Sequence, residues 1–596
     1  MGKATGGSVI FEQYYLECLS HASYLVGDES TGRAVVVDPQ RDVDGYVADA
    51  DAAGLTIERV IETHLHADFL SGHLELAART GATISFGDAA RVDFRIEPLH
   101  DGQRLVLGDV VLEVLATPGH TPESICIVVY EHADDPEPFG VLTGDTLFVG
   151  DVGRPDLLAS SGSGLTADVL GRRLYHSLHD RLLRLPDSTR VFPAHGAGSS
   201  CGKQLSSERS STLGEQRAFN YALAPMTEDE FVAVVTEGQP TRPHYFEFDA
   251  SRNRQLRPLL DEEAPPEELS LDDVLARRDA GAALLDAREP VDFGAGHLRG
   301  AIDVGLQGRF AEWAGDVLDP GRDIVLVGDP ATALETKVRL ARIGFDRVVG
   351  QLRGASDVLA HRPDLVERSS RVTIEQLAEL RGLEPDLQVV DIRNPGETST
   401  GVLPGAHPIP LPNLVDALGG LDRTAPTVVY CASGYRSAVA ASVLEASGFT
   451  DVSDLVGGYG AWSGAGLPTS APTESPSEGA ATMTVEVPEV DPVAGAALVD
   501  AGAQLLDVRE LDEWAAGHAP TASHMPMREI PARVEELPRP PQRIVAICRS
   551  GGRSRAVAEA LLGAGFDVVN VEGGMRAWQA AGLPIQTDDG APGRIA

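Results

Sequence analysis

The chain has few cysteines, few basic residues and no long apolar run. Its five cysteines are spread over 596 residues, too sparsely for a disulfide framework, and this favours a reducing compartment. No apolar run approaches the roughly 18 residues that a membrane-spanning helix needs. The N-terminal segment also lacks the continuous apolar core of an export signal. These absences predict a cytoplasmic protein that does not enter a membrane.

Positive charge is scarce along the whole chain. Lys and Arg number 49 against 89 Asp and Glu, giving a formal net charge of −40. Phosphate groups would be repelled, so neither nucleic acid nor an anionic membrane is expected as a partner. At roughly 100–200 residues per domain, the length predicts three to five domains. We also expect the chain to form a homo-oligomer.

Residues 1–250 alternate short apolar runs with helical stretches, which is typical of an α/β domain. Several of these runs end in Asp or His, as in RVIETHLH, VLEVLATPGH, VLTGDTLF and VFPAH. Side chains at strand ends are where such folds usually carry their chemistry. These motifs contain His64, His120, Asp145 and His195, and together they predict a metal site.

From residue 268 onward the sequence repeats a unit of domain size. LLDAREPVDFGAGHLRGA, VVDIRNPGETSTGVLPGA and LLDVRELDEWAAGHAPTA share an apolar pair, an Asp-x-Arg and a later glycine, and each precedes a second buried-strand pattern. Three copies of one α/β unit explain this better than chance. The predicted domains are 268–365, 370–468 and 484–588, and the Pro/Ser/Thr/Glu-rich segment 469–483 predicts a flexible linker.

The second and third copies carry a cysteine where a strand turns into a helix. CASGYRS begins at Cys431 and CRSGGRS begins at Cys548. Backbone N–H groups at a helix N-terminus favour a thiolate and an anionic persulfide. Arg436 and Arg553, five residues after each cysteine, would add positive charge for sulfite or thiosulfate. These loops therefore predict sulfur-carrying sites.

The first copy lacks this cysteine. Its segment LVGDPATALETK has Gly328 or Asp329 at the expected position. Without a thiol the unit cannot carry sulfur covalently, and Asp329 would repel an anion. We predict a structural or docking role for it. Cys126, inside ICIVVY, and Cys18 are predicted to be core residues.

In these motifs the N-terminal region resembles the metallo-β-lactamase superfamily, whose characteristic sequence motif is H-x-H-x-D-H. The resemblance implies an αββα sandwich. The motifs TPGHT, LTGDTLFVGDVGRPD and LYHSLHDRLLRLPDSTRVFPAHG are similar to those of the persulfide dioxygenase branch. This implies one Fe(II) per chain, bound by His64, His120 and Asp145. Three further residues would orient these ligands: His66, Asp68 and His195. An extended strand would turn the two histidines of THLHADF to the same face.

One departure from the superfamily motif favours a single metal ion. Phe69 stands where the superfamily has its final histidine, so a second ion would lose a ligand. A two-zinc, glyoxalase-II-like thioester hydrolase remains the alternative. Arg154, in VGRPD, matches the family arginine that faces the anionic thiol substrate. Cys201 lies in a Gly- and Ser-rich loop after His195 and is predicted to reach the metal pocket and hold a persulfide.

The C-x-x-G-x-R loops, each with its Asp-x-Arg module, resemble the rhodanese family. The predicted architecture is α/β, an αββα sandwich followed by three rhodanese-like domains with parallel sheets. The resemblances imply an enzyme that oxidises low-molecular-weight thiol persulfides, such as those of glutathione or coenzyme A, with O2 to sulfite. Its rhodanese cysteines would pass sulfane sulfur to sulfite, giving thiosulfate. A non-catalytic sulfur relay for another protein is a third hypothesis.

Overall fold

The computed structural model describes residues 9–157, 165–384, 386–399, 401–470, 487–509, 511–540, 542–549, 551–563, 566–587 and 593–594. The chain divides into two compact units, Met1–Glu474 and Ser475–Ala596, and each is described by itself. Most of the predicted linker, from residue 471 onward, lies outside the described residues. Across the part that is described, every helix is too short or too polar to cross a bilayer.

The N-terminal domain contains two mixed sheets. The strands of the first are β1 (Val9–Leu16), β2 (His21–Asp28), β3 (Arg33–Val37), β4 (Thr56–Ile61), β5 (Thr83–Gly87) and β6 (Glu97–Leu99). Those of the second are β7 (Arg104–Val106), β8 (Val111–Ala116), β9 (Ile125–Tyr130), β10 (Gly140–Gly144), β11 (Arg190–Pro193) and β12 (Ser211–Thr212). Both sheets follow chain order, the second as β12-β11-β10-β9-β8-β7.

Helices cover the outer face of each sheet. They are α1 (Asp44–Ala53), α2 (His73–Thr80), α3 (Ala167–His176), α4 (Leu213–Phe219), α5 (Glu228–Thr236) and α6 (Tyr245–Arg252). Alternate residues of β3, such as Val35 and Val37, meet the facing sheet, while Val36 packs with the buried side chains of α1 and α2. The second sheet packs against α3 and α5 in the same way. The predicted αββα sandwich is confirmed.

The Cys-less repeat follows, within the same compact unit. Its strands are β13 (Glu268–Leu269), β14 (Ala283–Asp286), β15 (His297–Leu298), β16 (Ala301–Asp303), β17 (Ile324–Leu326), β18 (Val348–Leu352) and β19 (Val366–Glu367). Its helices are α7 (Leu271–Asp279), α8 (Pro290–Ala295), α9 (Phe310–Val317), α10 (Ala333–Ala341) and α11 (Ala355–His361). The main sheet is parallel, in the order β13-β18-β17-β14-β16.

The other two repeats have the same sheet order. The second consists of β20 (Ser370–Val372), α12 (Ile374–Leu383), β21 (Gln388–Asp391), α13 (Pro395–Thr398), β22 (His407–Pro408), α14 (Leu414–Ala417), β23 (Thr427–Tyr430), α15 (Tyr435–Ala446), β24 (Val452–Leu455) and α16 (Gly458–Gly464). The third consists of β25 (Glu489–Val490), α17 (Pro492–Asp500), β26 (Gln504–Asp507), α18 (Leu511–Ala516), β27 (Ala522–His524), α19 (Ile530–Arg533), β28 (Ile544–Ile547), α20 (Gly552–Gly563), β29 (Val568–Val571) and α21 (Gly574–Ala580). Their orders, β20-β24-β23-β21-β22 and β25-β29-β28-β26-β27, match that of the first repeat. The predicted parallel-sheet repeats are confirmed.

Buried ion pairs fasten the Cys-less repeat to the N-terminal domain. Arg342 makes two parallel hydrogen bonds to the carboxylate of Asp42, at 2.6 and 2.7 Å. Arg41, which is 1% exposed, donates to the Ala341 carbonyl at 2.9 Å and pairs with Asp346. Because these charges leave water only when both partners are present, the contact holds the two domains in one arrangement.

Candidate functional site

The four metal-site motifs lie just beyond the ends of neighbouring strands. His64 follows β4, His120 follows β8, Asp145 follows β10 and His195 follows β11. All four side chains are buried. The two sheets bring these ends together, as the strand-end pattern predicted.

His64, His120 and Asp145 bring three ligand atoms to one point. The Asp145 Oδ2 atom lies 3.5 Å from His120 Nε2 and 3.8 Å from His64 Nε2. His64 Nε2 and Asp145 Oδ2 are buried and have no hydrogen-bond partner among the described residues. Such separations suit one cation, because metal–nitrogen and metal–oxygen bonds are about 2.0–2.2 Å. The residues therefore fit the predicted metal ion.

Hydrogen bonds at the far side of each ring fix the tautomers that a metal requires. Thr63 donates its hydroxyl proton to Asp38, so its oxygen accepts from Nδ1 of His64 at 3.0 Å. His120 Nδ1 donates to the Arg154 carbonyl at 2.9 Å. Both Nε2 atoms then carry a lone pair and no proton. Burial lowers the pKa of His64 well below its usual range, which keeps the ring neutral.

His195 lies between two carboxylates behind this group. Its Nδ1 is 2.8 Å from Asp145 Oδ1, and its Nε2 is 2.6 Å from Asp68 Oδ2. Burial opposes charge on the ring, but Asp145 and Asp68 together raise the pKa of His195 to about 10. The ring thus uses one oxygen of Asp145 and leaves the other for a metal, as a residue that orients a ligand would.

The His64 and His66 rings do not direct their Nε2 atoms to the same site, although an extended strand would place both side chains on one face. Their centroids are 4.0 Å apart, but His66 Nε2 faces Asp38 at 3.1 Å and Glu62 at 3.3 Å. The segment has left β4 at this point and is no longer extended, so period-two alternation does not apply. Phe69 packs its ring against His66, with centroids 4.4 Å apart, and supplies no donor atom. The supporting role of His66 stays a prediction.

Cys201 lies with Asp68 and His195 behind the metal ligands. One ligand atom from each of these three residues falls within 4.8 Å of the others. Burial raises the pKa of Cys201 well above its usual range, and the charges of Asp68 and Asp145 raise it further. The thiol is therefore protonated unless a cation nearby offsets those carboxylates. Its persulfide-holding role stays a prediction.

Arg154 is engaged by protein groups. Its guanidinium makes two bonds to Asp156, at 2.8 and 2.7 Å, and donates to the Ser200 and Pro240 carbonyls. Its backbone N–H donates to the Cys201 carbonyl, and its own carbonyl receives the His120 proton. These contacts favour a residue that positions the Cys201 loop and His120. Direct contact with a thiol substrate stays a prediction.

The two cysteine loops of the later repeats have nearly identical local geometry. Cys431 Sγ accepts from the Gly434 N–H at 3.1 Å, and Gly434 takes the left-handed backbone conformation, with φ of 105°. Arg436 forms a two-bond ion pair with Glu397, at 2.7 and 2.5 Å. The loop therefore presents backbone N–H groups and a fixed guanidinium next to the sulfur.

In the second compact unit, Cys548 repeats this arrangement. Its sulfur accepts from the Gly551 N–H at 3.2 Å and from the Ser554 hydroxyl at 3.3 Å. Arg553 pairs with Glu513 through two bonds, at 2.8 and 2.7 Å. Sulfur carriage by both cysteines stays a prediction.

Strand register identifies the cysteine-equivalent position in the first repeat. In the second repeat Asp391 lies opposite Tyr430, the residue before Cys431. In the first, Leu285 pairs with Leu326, so Asp286 falls opposite Val327 and Gly328 follows. A Cβ at Gly328 would lie 2.5 Å from an Asp286 oxygen, which leaves no room for a side chain without rearrangement.

Charged residues on α9 and just before it are functional candidates that the sequence motifs did not indicate. Arg309, Glu312 and Asp316 point from the Cys-less repeat toward the Cys201 loop, where Ser200 donates to Glu312 at 3.2 Å. Burial raises the pKa of both Glu312 and Asp316. Because they are three and four residues apart, these side chains lie on one face of the helix. Nothing in the sequence shows which part of the protein packs against that face.

Comparison with known proteins agrees with this geometry. A metallo-beta-lactamase superfamily model matches residues 16–195, and a rhodanese-like domain model matches 270–357, 373–465 and 493–581. A crystal structure of a metallo-beta-lactamase from Staphylococcus aureus subsp. aureus COL is 32% identical, with a TM-score of 0.54. The alignment covers 58% of this chain and 99% of that one. The chain belongs to the metallo-beta-lactamase superfamily.

The N-terminal domain is more specifically homologous to the persulfide dioxygenases named ETHE1, and three rhodanese-like domains follow it. The mitochondrial persulfide dioxygenase ETHE1 of Bos taurus is 29% identical over 257 residues, which are 42% of this chain and 89% of the relative. A probable metallo-hydrolase of Burkholderia pseudomallei is 30% identical over 253 residues, 37% of this chain and 82% of that protein.

Proposed function

We propose that the chain is a persulfide dioxygenase–sulfurtransferase. The observation that carries this proposal is the convergence of His64, His120 and Asp145 on one cation position, with Phe69 in place of a further ligand. The overall oxidation is RSSH + O2 + H2O → RSH + SO3²⁻ + 2H⁺. Iron(II) bound by two histidines and one carboxylate keeps open positions for a persulfide sulfur and O2.

The protein groups around this site hold the ligands in a single geometry. The Thr63 hydroxyl and the Arg154 carbonyl fix the two histidine rings, and His195 fixes Asp145. Partners of this kind normally tune metal affinity and ligand basicity. Phe69 adds apolar surface beside this group, and its ring packs against His21, with ring centroids 4.0 Å apart.

A cavity of about 440 Å³ adjoins the ligand loops and suits the carrier thiol. Leu65 and Ala67 of the His64 motif and Pro122 of the His120 motif are among its lining residues. The lining also carries three arginines, among them Arg242 and Arg254, against two glutamates, and this excess of positive charge would attract an anionic carrier such as glutathione or coenzyme A. In this proposal these arginines, not Arg154, meet the negative end of the thiol.

Sulfur transfer follows at the rhodanese cysteines. A cysteine thiolate takes the outer sulfur of a persulfide, releasing the carrier thiolate and leaving a cysteine persulfide. Sulfite attacks that outer sulfur; the new S–S bond gives thiosulfate, and the old one leaves its electron pair on the cysteine. Cys201 is proposed to hold a persulfide beside the metal ligands. The predicted cytoplasmic location and homo-oligomeric state stay predictions.

The decisive experiment combines metal analysis with oxygen uptake. Protein purified without oxygen and reconstituted with Fe(II) should bind one iron per chain and consume O2 with glutathione or coenzyme A persulfide. Asp145→Asn removes the charge of a proposed ligand, and Asp134→Asn changes an exposed-loop carboxylate as a matched control. Absence of uptake by the reconstituted parent protein with both persulfides would overturn the proposal.

A zinc thioester hydrolase with rhodanese-like carrier modules is the second candidate. The similarity to a probable metallo-hydrolase favours it, whereas Phe69 removes one ligand of a second zinc. Two zinc ions per chain and hydrolysis of a glutathione thioester would support this candidate. If neither metal gives turnover and neither cysteine takes up sulfur from thiosulfate, the non-catalytic relay gains support.

A further inference from the structure

A cavity of about 540 Å³ lies where three domains of the first compact unit meet. The N-terminal domain lines it with residues 198–205, on both sides of Cys201. The Cys431 loop contributes Ser433, Tyr435 and Arg436. The Cys-less repeat contributes Arg309 and Trp313. The cavity is thus lined by the Cys201 loop and by the Cys431 loop, which carry two of the proposed sulfur sites.

Its lining carries positive charge in a strongly acidic chain. Lys203, Arg309 and Arg436 face it, together with one carboxylate, Glu397. Two bonds to Glu397 fix Arg436, and the carbonyls of Val234 and Glu237 fix the Lys203 ammonium. Cations fixed in this way attract a small anion and need little reorganisation to bind it.

Arg309 has an unused donor at this wall. It pairs with Glu312 and donates to the Gly198 carbonyl, which ties the Cys-less repeat to the Cys201 loop. Its Nε is buried and, within the described ranges, has no hydrogen-bond acceptor. A buried N–H without an acceptor is unfavourable, so this donor loses no hydrogen bond if the partly exposed guanidinium turns toward an oxyanion in the cavity. Trp313 stacks at a tilt on Tyr435, with centroids 4.8 Å apart, and packs the Cys-less repeat against the Cys431 loop.

Two smaller cavities continue from this one toward the metal ligands. One of about 20 Å³ is lined by Ser200, Arg309, Glu312 and Arg436. The next, of about 10 Å³, is lined by Ser200, Glu312 and Asp68. Ser200 lines all three spaces and directly precedes Cys201, so the Cys201 loop borders both the large cavity and the small space next to Asp68.

We propose that this cavity binds a sulfur oxyanion for Cys431, and that the Cys-less repeat completes the site through Arg309. The proposal rests on the proposed function and adds a substrate site to it. The oxyanion is sulfite as the acceptor or thiosulfate as the donor. With sulfite, the lone pair on sulfur attacks the outer sulfur of the Cys431 persulfide. An S–S bond forms in thiosulfate, the cysteine S–S bond breaks, and Cys431 leaves as a thiolate, so charge balances without any other reactant.

The test measures the KM for thiosulfate in transfer to cyanide, in full-length protein carrying Cys548→Ser so that Cys431 is the one rhodanese cysteine left, and Cys431→Ser in the same background gives the rate that does not depend on it. Arg309→Gln and Lys203→Gln should each raise KM roughly tenfold, because each removes a charge-assisted contact to the anion. Arg309→Lys should recover part of the loss. Arg347→Gln, an exposed ion-paired arginine on the same repeat, is the matched control and should leave KM within twofold.

A KM within twofold of the parent value in both Arg309→Gln and Lys203→Gln would overturn the site. Thermal unfolding of each variant identifies any that fail to fold, and Lys203 lies on a different domain from Arg309, so one misfolded variant leaves the other informative. The cyanide assay needs neither metal nor O2. It therefore remains valid if oxygen uptake fails, and failure of the site is distinguishable from failure of the dioxygenase.

A second arm identifies the source of the oxyanion. Persulfide and O2 are supplied with and without sulfite oxidase, which removes sulfite from solution. If sulfite passes internally from the metal site, the parent protein should still form thiosulfate when sulfite oxidase is present. In Arg309→Gln, sulfite oxidase should then lower thiosulfate formation. Formation abolished by the trap in the parent protein indicates that the cavity fills from solution, which overturns the internal route.

Discussion

Glu445 should make the first compact unit less stable as pH rises through neutrality. It lies on α15, and Ser369 donates to its Oε2 at 3.4 Å. Burial raises the pKa of Glu445 from 4.5 to about 7, and Glu367 and Asp454 add to this effect, while the Ser369 hydrogen bond opposes it. Between pH 4.5 and 7 the folded protein therefore binds a proton that the unfolded chain releases.

The size and sign of the effect follow from that interval. A pKa difference of about 2.5 corresponds to roughly 3 kcal/mol, an upper limit because part of the carboxyl meets water. Since the folded pKa is raised, this contribution is fully present below pH 4.5 and lost as pH rises through 7. Glu445→Gln cannot ionise, so it should be more stable than the parent by about 1–3 kcal/mol at pH 8 and nearly equal at pH 4.5.

Calorimetric unfolding of the full chain at several pH values measures this difference. For a unit of this size the scale is roughly 1 °C per kcal/mol, so the transition of the unit that contains Glu445 should shift upward by about 1–3 °C at pH 8. Glu379→Gln, an exposed carboxylate on α12 of the same domain, should shift neither value. A gain at pH 8 no larger than the gain at pH 4.5 would refute the reasoning, because only ionisation distinguishes the two conditions.

Three further predictions concern the sites. Cys431→Ser should lower the thiosulfate-to-sulfite product ratio in the persulfide and O2 assay; an unchanged ratio, with Cys548→Ser lowering it instead, would assign transfer to the third repeat. His195→Gln should weaken metal affinity about 10–100-fold, measured by competition with a chelator, because Asp145 loses its orienting bond. Arg154→Gln should cost roughly 1–3 kcal/mol of stability, because it leaves the Ser200 and Pro240 carbonyls without their donor and Asp156, which is 31% exposed, without its partner. A large rise in KM for the persulfide without that loss would instead show Arg154 meeting the substrate.

Local sequence pattern predicted the fold, and it predicted that His64, His120 and Asp145 lie close together. The strand-end motifs and the three-fold repetition are periodic signals, and the sheets follow from them. The meeting of His64, His120 and Asp145 could be predicted because each residue follows the end of an apolar strand. The different directions of the His64 and His66 rings could not be predicted, because they depend on the residue at which the chain leaves β4.

Features that depend on docking between domains had no sequence signal. Ser200 and Glu312 meet only because the Cys-less repeat packs against the Cys201 loop. Arg309 and Glu312 belong to a repeat that lacks its cysteine, and their importance arises from what α9 packs against. No periodicity reports such contacts, since they join residues more than a hundred positions apart.

The ion pairs between the N-terminal domain and the Cys-less repeat limit where the chain can be truncated to give a stable fragment. Ending a recombinant fragment at residue 250 would strip Asp346 from Arg41 and Arg342 from Asp42, and it would expose apolar side chains such as Phe69 that now share a core with the Cys-less repeat. Such a fragment should aggregate or lose stability, even though it contains every proposed metal ligand. A fragment ending near residue 470 keeps these partners. Because one hydrophobic core also joins the Cys-less repeat to the Cys431 repeat, the smallest expressible form of the metal domain is a three-domain piece, with the Cys548 repeat as the separable part.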